Sequence, residues 1–410
     1  MNEVFELLTK HPRSENRWIG LEVERLGVDE KGQCLRYEPQ MRKLLEALVA
    51  EKGWRKDYEV DGKLLALQKN LHSISLEPAA QFETSLAPRK TISEIEKAQL
   101  EIDASVASLE ISKSWKFLSI GVNPWETPED SNLLPSPRYS LMDQYFRKNG
   151  TRGREMMRLT TGLQVNLDFS SEAEGIEMIR AAFGLTPYLS TIFSNSPYMY
   201  GKKTEALSNR HLIWEGMDPL RGGFLDFVFD PNFSLKKYAD HIASIPLMYA
   251  YDKEGNVFDP QGKALKDFPG KCMESNALSA MRQMFAEVRF KPCCVEVRCF
   301  DQVSEEFRYG ATALTVGLLY DDENRKFYNQ KFLNADVKRL KTEMHEGAMR
   351  GLKVNSIFEL SKEMLKRAEA GLKKRNFGEE KYLAPVENLI RQRKTPADLL
   401  IEEHGEVFKR

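Results

Sequence analysis

The chain has 410 residues, enough for one large domain or two ordinary ones with an ample core. Its 61 acidic and 60 basic residues leave a net charge of −1, which removes any electrostatic case for bulk nucleic-acid binding. No apolar run approaches about 18 residues, so no membrane span is expected. The five cysteines (Cys34, Cys272, Cys293, Cys294, Cys299) are odd in number and lack metal-finger spacing, which points to a reducing compartment. The acidic amphipathic start, Met1 to Leu8, resembles neither a signal nor a transit peptide, and a soluble cytoplasmic protein is expected.

In chain order, residues 1–10 read as a short helix and 17–28 as a first strand. Met41, Leu44, Leu45, Leu48 and Val49 repeat at helical spacing and predict a helix over 40–52. Residues 57–88 alternate and turn, with Asp61-Gly62 as a hairpin signal. From Thr91 to Trp115, Ile92, Ile95, Ile102, Val106 and Leu109 mark a long amphipathic helix with Thr91 or Ser93 as N-cap. A strand over 116–123 leads into a Pro-rich loop to about 137. Helices over 138–148 and 172–185 flank a strand over 162–169. Residues 196–235 have little periodicity and many turn residues, the mark of a functional loop region. After a strand over 294–300, helical patterns run to the end. The fold class is α+β, with antiparallel-looking strands in the first three quarters and a helical last quarter. One domain over 1–410 is expected, with a sheet-containing core over 1–325 and a helical region over 326–410.

Four segments carry polar residues at alternate positions, and therefore on one face of a strand. Glu22 and Glu24 oppose Ile19, Leu21 and Val23. Leu76 through Glu83 reads as one strand with Gln81 and Glu83 on a face, and Gln164, Asn166 and Asp168 oppose Leu163, Val165 and Leu167. Glu296 and Arg298 lie between Val295, Val297 and Cys299. Carboxylates on strand faces are costly unless protons, partners or metals neutralise them, and hard oxygen ligands at this density suit Mg²⁺. Each segment also has a plainer reading. Glu22 and Glu24 fit an edge strand facing solvent, and Glu296 with Arg298 fits an internal salt bridge. Arg158 and Arg210 can fork a carboxylate or phosphate, or lie on the surface as most arginines do. Cys293 and Cys294 read as small buried residues rather than nucleophiles. His72, His211 and His241 have no metal-ligand spacing.

Taken in order, these stretches resemble the plant and proteobacterial type of glutamate–cysteine ligase, which is related to the glutamine synthetase catalytic fold. The resemblance rests on Ile19 to Glu24, Leu76 to Glu83 with Ala87-Pro88, Gly121 to Trp125, Arg138 to Met142 and Met156 to Thr160. It continues through Gln164 to Phe169, Phe193 to Pro197, Ser208 to Trp214, Pro292 to Arg298 and the tail Lys394 to Leu400. Two departures stand out. Val23 occupies a position where the family usually has His, and Ala79-Ala80 replaces Gly-Gly. The regulatory cysteines of the plant enzymes have no convincing counterparts, so redox control is not carried over.

The resemblance implies a curved, mainly antiparallel sheet with surrounding helices. It also implies ATP-dependent joining of the glutamate γ-carboxylate to the amine of cysteine through γ-glutamyl phosphate, with Mg²⁺ as cofactor. It implies metal ligation by Glu22, Glu24, Glu77, Glu83, Gln164 and Glu296. Arg298, Glu296 and Arg158 would be catalytic, and Arg158, Arg210, Asn166 and Tyr139 would bind substrate. The expected partners are glutamate, cysteine and ATP, with no nucleic acid or membrane, in a monomer or homodimer. A related ligase using another amine is the alternative, and a non-catalytic binding protein of the same fold is a second. The runs Lys338–Lys341 and Lys373–Arg375 lie in acid-rich helical surroundings and read as solvated faces rather than nucleic-acid contacts.

Overall fold

Alternation in Ile19-Gly20-Leu21-Glu22-Val23-Glu24 builds the strand at the centre of the molecule. A computed structural model describes residues 3–10, 16–149, 151–268 and 273–409, so Cys272 lies outside the described residues. Strand β1 (Ile19–Val28) buries Ile19, Leu21 and Val23 completely and turns Glu22 and Glu24 to the other face. Eight further strands join it: β2 (Arg55–Val60), β3 (Lys63–Lys69), β4 (His72–Leu76), β5 (Phe82–Ser85), β6 (Lys116–Leu118), β7 (Gly162–Asp168), β8 (Val288–Lys291) and β9 (Cys294–Asp301). The nine strands run in the order β8-β9-β7-β1-β5-β4-β3-β2, with β6 also on β1. Every pairing in this sheet is antiparallel.

The hairpin signal at Asp61-Gly62 forms the β2–β3 turn, with φ of 49° and 72° at the two residues. Two positive φ values suit the twist of a two-residue hairpin. The single strand expected over 76–83 is instead a second hairpin. Leu76 ends β4 and Phe82 opens β5. Pro78 cannot donate to a ladder. Ala80 takes a φ of 69° and its N–H donates to the Glu77 carbonyl at 2.8 Å. Glu77 therefore sits in a turn and Glu83 on the returning strand.

The helix expected from Thr91 runs over Ile92–Ala107, closed at its start by a reciprocal Thr91–Glu94 capping box. Strand β6 covers only Lys116–Leu118 of the span expected to reach 123. The helix Glu172–Ile192 outlasts the expected span and continues through Pro187, buried nearly all round. It packs with Glu305–Leu319 against the apolar face of the sheet. One continuous apolar core extends from Val4 to Ile390 and takes in the C-terminal helices Val337–Arg350, Asn355–Arg375 and Ala384–Gln392. Among the described residues, no helix is long and apolar enough to cross a membrane.

Candidate active site

The register of the sheet aligns the polar residues in rows. Glu24 is directly opposite Glu83, Glu22 opposite Gln164, and Asn166 opposite Glu296, which in turn faces Arg289. Residues from β8, β9, β7, β1 and β5 thus form one floor. Within it, Gln164 Nε2 and the Gly162 N–H each donate to Glu24 at 2.6 Å. Asn166 Nδ2 donates to Glu22 at 3.0 Å, and Ser75 Oγ donates to Glu83 at 2.7 Å.

At the β8–β9 end, Glu296 is fully buried and surrounded by cations. Arg298 Nη1 lies 3.0 Å and Lys291 Nζ 2.7 Å from its carboxylate, and Arg289 Nε donates to it as well. Lys291 also reaches Glu22 at 2.5 Å. Burial pushes the Glu296 carboxyl up, but Arg289, Lys291 and Arg298 overcome it and hold it well below the usual range. The internal salt bridge is therefore what the structure holds at Glu296, and Glu22 is likewise ion-paired. Both residues, expected as metal ligands, lie in this ion-paired cluster at the cationic end of the floor.

Helix Asn209–Glu215 delivers Arg210 and Trp214 to the same end. Its N-cap Ser208, together with Ser196 and the Asn195 N–H, donates to the buried Asp301 carboxylate at the end of β9 at 2.6–2.9 Å. That anchor ties the irregular 196–235 segment to the sheet. Arg210 Nη2 donates to the Arg298 carbonyl at 3.1 Å. A Cβ on Gly162 would stand 2.8 Å from Arg210 Nη2, so the glycine makes room for the guanidinium. Arg210 and Arg298 both lie against the Trp214 ring, 4.7 and 5.5 Å from its centre.

Toward β5 the charge reverses. Burial and the neighbouring Glu83 push the Glu24 carboxyl up to about 7. Burial, Glu83 and Glu24 raise Glu77 well above its ordinary value, and burial and Glu22 raise Glu83. Three carboxyls brought together without enough cation to neutralise them form an arrangement whose charge a dication would relieve. Among the described residues, no three acids, histidines or cysteines already stand at ligating distances. The fit to Mg²⁺ rests on charge and on oxygen donors rather than on a closed cage.

The other expected residues divide. Tyr139 is buried at the edge of this trio, where burial and Glu77 raise its phenol. Asn166 and Arg210 lie on or over the floor. Arg158 does not offer a free fork. Its guanidinium contacts Asp143 at 2.8 and 3.0 Å and donates to the Pro128 and Ser131 carbonyls at 2.9 Å. Arg158, expected to bind substrate or the phosphoryl group, is held by these partners. Gln81 points away from the floor and donates to the Met157 and Thr160 carbonyls. Cys293 is exposed at the β8–β9 turn rather than buried, and Cys294 directs its Sγ to Asn166 Oδ1 at 3.6 Å.

Sequence reasoning missed Arg289 and Lys291, although they alternate with Val288 and Phe290 just as Glu296 and Arg298 alternate with Val295 and Val297. That parity was the available signal. It also missed Arg138, whose guanidinium carbon lies 4.6 and 5.6 Å from the Tyr139 and Tyr58 ring centres. Its Nη2 donates to the Tyr139 hydroxyl at 3.0 Å, while its buried Nε has no acceptor among the described residues. No local pattern distinguishes Arg138 from a surface arginine at a helix start.

Comparison with known proteins adds the identity of the scaffold. The profile of glutamate-cysteine ligase family 2 matches residues 18–410. The chloroplastic glutamate–cysteine ligase of Arabidopsis thaliana is 34% identical over 407 residues, covering 94% of this chain and 76% of the relative. That of Brassica juncea is 33% identical over 424 residues, covering 98% and 80%. Among solved structures, a Francisella tularensis glutamate–cysteine ligase in complex with AMP superposes with a TM-score of 0.58 at 15% identity, covering 96% of this chain and 85% of that one. A bifunctional glutathione synthetase from Pasteurella multocida gives 0.54 at 12% identity, covering 99% and 51%. The sheet, its two-ended charged floor and a profile match over nearly the whole length agree, and the chain belongs to glutamate-cysteine ligase family 2.

Proposed function

We propose that the protein joins the γ-carboxylate of glutamate to the amine of cysteine at the expense of ATP, giving γ-glutamylcysteine, ADP and phosphate. The observation that carries this reading is the acid trio Glu24, Glu77 and Glu83 beside the cations Arg289, Lys291 and Arg298 on one sheet face. An amide forms from a carboxylate at neutral pH only after the acyl group is activated. Two anions, the glutamate carboxylate and the ATP triphosphate, must therefore be brought together.

The floor's two ends suit that task. Lys291 and Arg289 hold phosphate oxygens, and Arg298 forks the transferring phosphoryl group as its charge redistributes. Glu24, Glu77 and Glu83 would hold Mg²⁺, with Gln164 as a neutral oxygen donor beside them, and the ion when bound neutralises phosphate charge. Arg138 and Tyr139, with Arg210 overhead, orient the amino-acid carboxylates. Trp214 and the 196–235 segment exclude water, which would otherwise hydrolyse the γ-glutamyl phosphate. The cysteine amine then attacks the acyl carbon, and phosphate leaves. Among the described residues, four free cysteines support a reducing compartment, which we read as the cytoplasm.

Product mass spectrometry with ATP, Mg²⁺, glutamate and each amino acid in turn tests the reading. ATP consumption that depends on glutamate and is fastest with cysteine, yielding ADP, is expected. Release of AMP and pyrophosphate, or full hydrolysis without glutamate, would overturn it.

A further inference from the structure

A cleft of about 190 Å³ is bounded by His211, Trp214, Phe224, Glu287, Lys341 and Met344. Neither the acid trio nor Lys291 and Glu296 lines it, so it is separate from the floor. Its deepest polar group is Glu287, only 2% exposed. Among the described residues, no hydrogen bond reaches that carboxyl, and the nearest ring nitrogen, His211 Nδ1, is 3.9 Å away. Burial pushes Glu287 up to about 7 despite Arg210 and Arg298 nearby, and burial with Arg210 holds His211 down at about 3. The imidazole is thus neutral and no counter-ion. The Trp214 indole N–H also lacks an acceptor among the described residues. Buried acids without partners are costly and uncommon.

The other acids at the cleft are already engaged. Asp218 receives Arg221 and the Tyr145 hydroxyl at 2.9 Å, and Glu215 meets His345 at 2.9 Å. Lys341 stands at the mouth, about half exposed and 3.6 Å from Asp226. Trp214, Phe224 and Met344 make the walls apolar. The occupant must therefore carry a donor cation for Glu287, a small apolar body, and an anion for Lys341. The volume is below the roughly 300–1,000 Å³ of pockets for drug-sized ligands, which excludes a nucleotide. His211 and Glu287 supply only two metal donors, which disfavours a bare ion.

We propose that this cleft is a second small-molecule site that binds an α-amino acid, ammonium on Glu287 and carboxylate toward Lys341. It shares walls with the floor. The Arg298 N–H donates to the Glu287 carbonyl at 2.9 Å, and Trp214 carries both Arg210 and Arg298 on its ring.

Calorimetric titration of the full chain tests it, with glutamate and a non-hydrolysable ATP analogue saturating. The probes are L-alanine, L-methionine, N-acetylalanine and ethylamine. The two amino acids are expected to bind, ethylamine more weakly, and the N-acetyl compound not at all. Glu287→Gln is expected to weaken amino-acid binding by about tenfold to a hundredfold, the loss of one charge-assisted hydrogen bond. Lys341→Ala should weaken the amino acids and leave ethylamine unchanged. Met344→Trp, which fills the cleft without altering charge, should abolish binding of both classes. Full-affinity binding to Glu287→Gln or Met344→Trp, or no binding of either amino acid to the unmodified protein, would overturn the proposal.

Discussion

Replacing Glu24 by glutamine is expected to stabilise the metal-free protein while removing its activity. The carboxyl rises from 4.5 to about 7 because it is buried beside Glu83. At about 1.4 kcal/mol per pH unit, that costs the ionised form about 3 kcal/mol. Glu24 keeps some solvent contact, which screens it, so this is an upper figure. The unfolded chain loses this proton near 4.5 and the folded chain near 7, so the folded state holds more proton between those values. Stability therefore falls as pH rises through that window, and the full penalty is present at pH 8. At roughly 2.1 cal/mol/K per residue, a chain of this length unfolds with an entropy of roughly 0.9 kcal/mol/K, so ~3 kcal/mol is about 3 °C in Tm. Melting in chelator at pH 8 should show Glu24→Gln above the unmodified protein by up to that amount, and at pH 4.5 the two should nearly coincide. Mg²⁺ should raise the melting temperature of the unmodified protein more than that of the variant. Turnover in the variant should fall by on the order of 10²–10³, as when one electrostatic stabiliser of a transition state is removed. A variant that melts lower at pH 8 without metal, or an advantage unchanged at acid pH, would refute the reasoning.

Glu296→Gln should act with the opposite sign on stability. It leaves Arg289, Lys291 and Arg298 without their shared anion and should cost about 3–5 kcal/mol in denaturant unfolding, with activity lost as well. An unchanged unfolding free energy would show that the ion cluster contributes nothing. Arg298→Lys keeps the charge but not the fork, so kcat should fall by on the order of 10²–10³ with little change in KM for ATP. Unaltered kcat with a raised KM would confine Arg298 to nucleotide binding. Arg138→Ala should raise KM for an amino-acid substrate by about tenfold to a hundredfold, through loss of a charge-assisted contact. A fall in kcat alone would place Arg138 outside substrate binding.

Strand parity made Glu22, Glu24, Gln164, Asn166, Glu296 and Arg298 legible as face residues, because side chains alternate with period 2 whatever lies across the sheet. Helical spacing located Arg42–Lys52, and the N-cap candidate Thr91 located the start of Ile92–Ala107, since both signals are local. The turn at Glu77 escaped because Ala80 adopts a positive φ that its residue type does not advertise.

Which partner each charged side chain finds was decided only by the tertiary structure. Glu24 and Glu296 look alike in sequence, each a carboxylate in an alternating strand. The register of β1 on β5 sets Glu24 opposite another acid, whereas β9 on β8 sets Glu296 opposite Arg289. One carboxyl is thereby pushed up and the other held down. Arg158 and Arg298 are equally indistinguishable until Asp143 claims the first and Glu296 the second. A strand's own residues determine which side chains share its face. The charge those side chains feel falls off with distance and is screened by water, so it depends on neighbours far away in sequence and on how completely the fold excludes solvent.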